Sequence, residues 1–232
     1  MTSIFDRTPK ERLPRELIAM RVAAELQEGQ FVNLGIGIPN LVSDFTPPEK
    51  HIMFHAENGI LGVGRFQEAG KVDVPEMMNA GGQPVYMVPG GWLMDSAESF
   101  AIVRGGHLDV AVLGGLQVSE KGDLANWMRP GRAVGSVGGA ADIAAGARAV
   151  YVAMEHTTSD GGRKILRECT YPLTAVRVVK KIFTDVAVIS VTQEGLVLEE
   201  TAPGWSAEDV QAITQAPLRV SPDLREIALA GA

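Results

Sequence analysis

The sequence predicts an α/β protein with an open, mainly parallel sheet and helices on both faces. Three observations predict it. Continuous apolar runs without polar alternation recur along the chain, as in strands buried on both faces. Segments of helical periodicity lie between them, so strand and helix alternate. Several runs end on glycine or a polar residue, as strands do where an open α/β sheet binds its ligand. At 232 residues the chain suits a single domain, 1–232, large enough to bury a sizeable core.

Taken in order, Glu11–Glu28 is the first helix. Leu13, Leu17, Met20 and Ala24 fall at helical spacing, with Ile18, Val22 and Leu26 on a flanking stripe and Gly29 closing the helix in the C′ role. Phe31–Leu34 is a strand that runs into the glycine turn Gly35-Ile36-Gly37-Ile38-Pro39. Ile52–His55 is the next strand, ending at Glu57-Asn58-Gly59, and a glycine-spaced loop continues to Gly64. Further strands are Val85–Val88, Leu108–Leu113, Ala149–Met154 and Ala187–Val191. Asp95 and Glu98 form a capping box for a helix over Ser96–Arg104, stopped by Gly105-Gly106, and Gly139–Ala147 and Ser206–Gln215 are helical too. Pro47-Pro48 and Asp160-Gly161-Gly162 are loops within the domain. The ends are expected to fray, over 1–10 and on through Lys10–Pro14, and over 223–232.

Composition narrows the function. The net charge is -7 and no basic cluster exceeds Lys180-Lys181, which argues against nucleic acid and anionic membrane as partners. No apolar run approaches the ~18 residues of a membrane span and no leader is apparent. The single cysteine, Cys169, excludes an internal disulfide and fits a reducing cytoplasm, with packing as its role. His51, His55, His107 and His156 show no ligand spacing, so no metal site is expected, although His55 is close enough to Glu57 in sequence to line one cleft with it.

Three strand ends could carry chemistry: Gly35/Gly37, Glu57, and Gly114-Gly115-Leu116-Gln117. Glu57 is the sharpest, an ionisable group set directly between a strand and glycines that allow close approach to a ligand, though a surface glutamate opening a loop has the same appearance. Gly35-x-Gly37-x-x-Asn40 partly matches a dinucleotide fingerprint, with Glu57 near the place of a ribose-binding acid, and so suggests a nicotinamide-dependent dehydrogenase. Asn40 in place of the third glycine, and Pro47-Pro48 soon after, count against it. A third cluster, Gly135–Asp142, leads into a helix and offers free amides to an anion or oxyanion.

Several motifs together are more specific. Glu57-Asn58-Gly59-Ile60-Leu61-Gly62-Val63-Gly64 resembles the Glu-Asn-Gly signature of family I coenzyme A transferases. The likeness continues through Asn79–Gly82, Ser99–His107, Gly122–Met128, Gly138–Asp142, Met154–His156 and Cys169–Thr174, and covers about 17–222. It is to the β half of succinyl-CoA:3-oxoacid and 3-oxoadipate CoA-transferases, and implies their three-layer fold, a separate homologous α subunit, and CoA as cosubstrate with no tightly bound cofactor. It implies Glu57 as nucleophile. Gly138 and Gly139 are the expected oxyanion donors, and Gly35, Gly37, Asn58, Gly59, Gln117 and Asn126 the expected substrate or CoA contacts. The implied reaction moves CoA from succinyl-CoA to a 3-oxo acid such as acetoacetate, as in ketone body metabolism, or to 3-oxoadipate. Ala56, Ala141 and Trp92 depart from the family pattern at positions that bear on acyl preference.

A carboxylate suits such a reaction because it conserves the acyl activation: attack on a thioester gives a mixed anhydride, which CoA thiolate converts to an enzyme thioester. Glutamate, with a reference pKa of ~4.3 against ~8.5 for a thiol, expels thiolate uphill by about 5 to 6 kcal/mol. Binding of the remote CoA body and amides worth ~3 to 4 kcal/mol each must supply that difference.

Overall fold

The computed structural model describes residues 10–66, 77–131 and 137–228. In chain order the elements are α1 (Arg15–Glu25), β1 (Phe31–Leu34), two 3-10 helices (Ile38–Phe45 and Pro48–Lys50), β2 (Met53–Ala56), β3 (Ile60–Phe66) and β4 (Val85–Leu93). Next come α2 (Ser96–Arg104), β5 (Val110–Leu113), β6 (Gln117–Ser119), β7 (Leu124–Ala125), α3 (Ala140–Gly146), β8 (Ala149–Ala153) and β9 (Ile165–Leu166). β10 (Val179–Phe183), β11 (Ala187–Thr192), β12 (Gly195–Thr201), α4 (Ala207–Ala212) and β13 (Leu218–Glu226) complete the fold.

The main sheet runs β13-β12-β11-β10-β8-β5-β1-β2-β3-β4, and its centre, β2-β1-β5-β8-β10, is parallel throughout. Antiparallel strands flank that centre, β3 and β4 on one side and β11 and β12 on the other, with β13 parallel to β12 at the far edge. Period-2 alternation sends neighbouring residues of one strand to opposite faces. Val110 and Val112 of β5 join the core beneath α1 and the longer 3-10 helix, whereas Ala111 and Leu113 join the core beneath α2 and α3. Three layers result, as expected. A small sheet, β7-β6-β9, lies beyond β5 in the chain.

Local chemistry moves several boundaries. α1 begins after Pro14, not at Glu11, because proline is extended here and caps the helix. The stretch before it is not frayed: Lys10 N bonds Pro203 O at 2.9 Å, Leu13 N bonds Asp185 O at 2.8 Å, and Leu13 is buried. At the other end Leu26 is already extended and Gly29 sits in a later turn rather than at C′. The terminal carbonyls are instead held by Lys50, whose Nζ donates to Ala23 O (2.8 Å), Ala24 O (3.3 Å) and Leu26 O (2.6 Å). α2 has the expected capping box, Glu98 N donating to Asp95 Oδ1 at 2.9 Å. α4 is shorter than expected, because Gln215 N is drawn to Ile165 O.

Two segments change type. Ile60–Gly64, expected as a loop, is the start of β3, and its glycines admit the close backbone of β4: a Cβ on Gly62 would lie 2.9 Å from Gly91 Cα. Residues 223–226, expected to fray, are the end of β13, where Arg225 and Glu226 pair with Glu200 and Thr201 of β12. The expected ends 1–9 and 229–232, and Gly135-Ser136 of the glycine cluster, lie outside the described residues. Among the described residues no helix is long and apolar enough to cross a membrane.

Candidate active site

β2 delivers Glu57 to the carboxyl edge of the parallel centre through a tight turn, in which Gly59 N donates to Ala56 O at 3.0 Å. Gly59 has φ +113, and a Cβ there would stand 2.1 Å from Met94 O, so the turn admits only glycine. Asn58 is exposed and its Nδ2 donates to Met78 O at 2.8 Å. Asn58 and Gly59 thus build the turn, outside the cleft lining, and Glu57 is the member of the triplet that enters the cleft.

The cleft has a volume of about 540 Å³. Gly35 to Pro39 form one wall and Gly114 to Leu116 another, with Asn126, Trp127, Val137 to Ala140, Met154 and Glu155 completing it and Arg15 at its rim. Arg15 is tied there by a 2.7 Å ion pair with Glu155. Gly138 and Gly139 lie directly against the Glu57 carboxylate. A Cβ on Gly139 would come within 3.0 Å of Glu57 Oε2 and 2.5 Å of Phe100 Cζ, and one on Gly138 within 3.7 Å of Oε1. Burial pushes the Glu57 carboxyl above its ordinary pKa, and a hydrogen bond from the Gly139 amide offsets part of that rise.

Of the other expected contacts, Gly35, Gly37 and Asn126 reach the cleft. Asn126 has its amide committed to the wall, Nδ2 donating to Gly114 O at 3.1 Å and Oδ1 accepting from Thr174 Oγ1 at 2.6 Å. Gln117 does not reach it. Its buried side chain accepts from Thr170 N (2.8 Å) and Tyr171 N (3.0 Å), pinning that loop, because a strand with both faces covered turns this residue inward. His55 is also outside the lining: it is buried behind the turn between Asn33 and Ser99. The cleft also holds Arg15, Trp127 and Glu155, with Phe100 behind Gly139; no spacing in the sequence singles these residues out, and only the motifs containing Phe100, Trp127 and Glu155 signal them. Cys169 is half-buried and its thiol is pushed up to about 11 by burial, well away from a reactive thiolate. Among the described residues no group of His, Cys, Asp and Glu is arranged to hold a metal ion.

The model of the family described as coenzyme A transferase matches residues 15–212. The chain belongs to the coenzyme A transferase family. As a CoA-transferase chain it is 47% identical over 210 residues to the beta subunit of acetate CoA-transferase from Escherichia coli K12, covering 90% of this chain and 95% of that protein. It is 46% identical over 212 residues to the B subunit of 3-oxoadipate CoA-transferase from Pseudomonas putida, covering 91% and 99%. It matches the mitochondrial succinyl-CoA:3-ketoacid coenzyme A transferase 2B of Mus musculus at 46% over 213 residues, 91% of this chain but 41% of that protein. In fold it is similar to the acyl-CoA transferase YdiF of Escherichia coli O157:H7, with a TM-score of 0.74 at 23% identity over 97% of this chain and 45% of that one. The chain therefore spans less than half of the mouse and YdiF proteins. Glutaconate coenzyme A-transferase of Acidaminococcus fermentans shares the fold at a TM-score of 0.67, with 19% identity over 93% and 88%. The dehydrogenase reading of Gly35-x-Gly37 falls with these findings. After Gly37 the backbone enters a 3-10 helix with Pro39 in its first turn, not the α-helix that holds a pyrophosphate.

Proposed function

We propose that this chain is the β half of an αβ enzyme that transfers CoA from succinyl-CoA to a 3-oxo acid such as acetoacetate, with Glu57 as the covalent carrier. The observation that carries this reading is the Glu57 carboxylate, partly desolvated at a strand end and bonded to the Gly139 amide in a glycine-walled cleft. Curated bacterial relatives named as the beta or B half of a transferase favour a homologous α subunit as partner.

In this mechanism a Glu57 oxygen attacks the thioester carbonyl, and the carbon–sulfur bond breaks to give a mixed anhydride and CoA thiolate. The thiolate then attacks the Glu57 carbonyl. The carbon–oxygen bond of the anhydride breaks, the first acid departs as its carboxylate, and a glutamyl-CoA thioester remains. The acceptor carboxylate repeats both steps in reverse. Negative charge collects on the Glu57 carbonyl oxygen during thiolate attack, and the amide that already bonds this carboxylate is in place to hold it without reorganisation. Desolvation makes the resting carboxylate a stronger nucleophile and keeps water from the anhydride.

The alternative acceptor, 3-oxoadipate, is favoured by the Pseudomonas relative, which matches as well as those named for other acids. The test is steady-state kinetics of the co-expressed αβ complex with succinyl-CoA and either acceptor. A higher kcat/KM with acetoacetate supports the first reading, and a higher value with 3-oxoadipate the second. Glu57→Ala is expected to abolish both activities. Glu57→Asp, which retracts the carboxylate by more than ~1 Å, should lose ~100-fold or more. More than a few per cent of wild-type activity in Glu57→Ala would contradict the assignment.

A further inference from the structure

Behind the catalytic turn lies a chain of hydrogen bonds that the covalent chemistry does not use. Asn33 of β1, His55 of β2 and Ser99 of α2 are each at most 1% exposed. Asn33 Nδ2 lies 3.2 Å from His55 O and 3.0 Å from His55 Nδ1, His55 Nε2 lies 2.8 Å from Ser99 Oγ, and Ser99 Oγ lies 2.9 Å from Glu57 O.

The backbone carbonyl sets every direction in this chain. His55 O can only accept, so the Asn33 atom facing it is the amide nitrogen, and that nitrogen spends its second proton on Nδ1. Nδ1 is then the bare nitrogen of a neutral imidazole, and Nε2 carries the proton that Ser99 Oγ accepts. The Ser99 hydroxyl proton is left for the carbonyl of Glu57. The opposite tautomer would turn the Ser99 proton toward His55 and strip Glu57 O of its donor. Burial favours the neutral ring, holding the imidazole pKa at about 4.

α2 also carries Phe100, which packs on Gly139. One helix therefore grips both the main chain of Glu57, through Ser99, and the amide that bonds its carboxylate, through Phe100.

We propose that Asn33, His55 and Ser99 are positioning residues, a one-way hydrogen-bond relay that fixes the Glu57 main chain against the Gly139 amide during acyl transfer. This inference rests on Glu57 being the carrier. It assigns a role in catalysis to residues that never touch substrate, and its reason is geometric. The Glu57 carbonyl carbon must accept attack from alternating directions while staying within reach of one amide, and displacements of about 1 Å cost on the order of 100-fold.

The test measures the rate of CoA adduct formation on the αβ complex by rapid quench and intact mass, beside the KM for acyl-CoA and the melting temperature. Ser99→Ala is expected to slow adduct formation by roughly 10- to 100-fold with KM changed less than about twofold. His55→Gln, which restores a donor to Ser99, should recover most of the rate that His55→Leu loses. Nitrogen NMR of the wild-type imidazole should find Nε2 protonated and Nδ1 bare, a result that does not depend on any variant folding. A wild-type rate in folded Ser99→Ala, equal rates in the two His55 variants, or a proton on Nδ1 would each overturn the proposal. Absence of an adduct on the wild-type complex would instead overturn the carrier role of Glu57.

Discussion

The charge of Glu57 is set against its surroundings, and this has measurable consequences at the scale of one residue. A folded pKa above the unfolded value means that the native state holds this proton more tightly. The associated stabilisation is present at low pH and is lost as pH rises through the raised pKa, so at neutral pH the ionised carboxylate is a net cost. Glu57→Gln is therefore expected to melt higher than the wild type at pH 7, with the difference shrinking as pH falls toward the ordinary carboxylate range, while activity is abolished. Calorimetry across pH checks this, and a Glu57→Gln protein that melts lower at pH 7 would contradict it. The same shift predicts that the transfer rate begins to fall on the acid side at a higher pH than an unperturbed glutamate would allow. Gly139 is as constrained as Glu57. Gly139→Ala puts its methyl 2.5 Å from Phe100 Cζ and 3.0 Å from Glu57 Oε2. It is expected to lower kcat by roughly 10-fold or more, since the carboxylate or the amide must give by a few tenths of an ångström and ~1 Å costs ~100-fold. Adding Phe100→Ala should restore stability but not rate, because the clash with the carboxylate remains.

At the scale of elements, α1 is fastened by charges rather than by its own caps. Its last carbonyls are held by Lys50, and Arg21 joins it to β12 through Glu200, which also accepts from Arg225 of β13. Lys50→Met is expected to cost about 1 to 3 kcal/mol in urea unfolding while leaving kcat unchanged, since a charged donor to three carbonyls is lost far from the cleft. These long-range fastenings explain what the sequence hides. β5 and β8 were legible because they lie inside the sheet and no charged or amide residue interrupts them, and β1 because its one polar residue, Asn33, is flanked by apolar residues. β10 was missed because Lys180 and Lys181 break its pattern, and Lys181 is tolerated only because Glu25 and Glu199 meet it at 2.6 Å and 2.9 Å. β13 was missed because it is an edge strand with Pro222 and alternating charges, which needs no apolar run. In the site, Glu57 stood out as an ionisable group at a strand end. The pairing of His55 with Ser99, 44 positions apart, has no spacing signal and arises only when α2 packs over the β2 turn.

Across the whole molecule, the parallel centre brings the ends of β1, β2 and β5 to one edge, where the glycine turns after β1 and β5 and the Gly138-Gly139 segment surround the Glu57 carboxylate. The architecture accounts for a carboxylate that is partly desolvated yet open to the cleft, and the proposed α subunit would complete the exclusion of water from the proposed reaction. The most direct test is intact-mass analysis of the αβ complex incubated with acyl-CoA and no acceptor acid. A CoA-sized increment is expected on this chain alone, mapped to Glu57 and lost in Glu57→Ala. Borohydride should inactivate the loaded complex by reducing that thioester to an alcohol, while complex treated with borohydride alone keeps its activity. The isolated chain without its α partner should form little or no adduct. An adduct on Cys169 or another acid, or turnover without any adduct on this chain, would contradict the claim that Glu57 carries CoA.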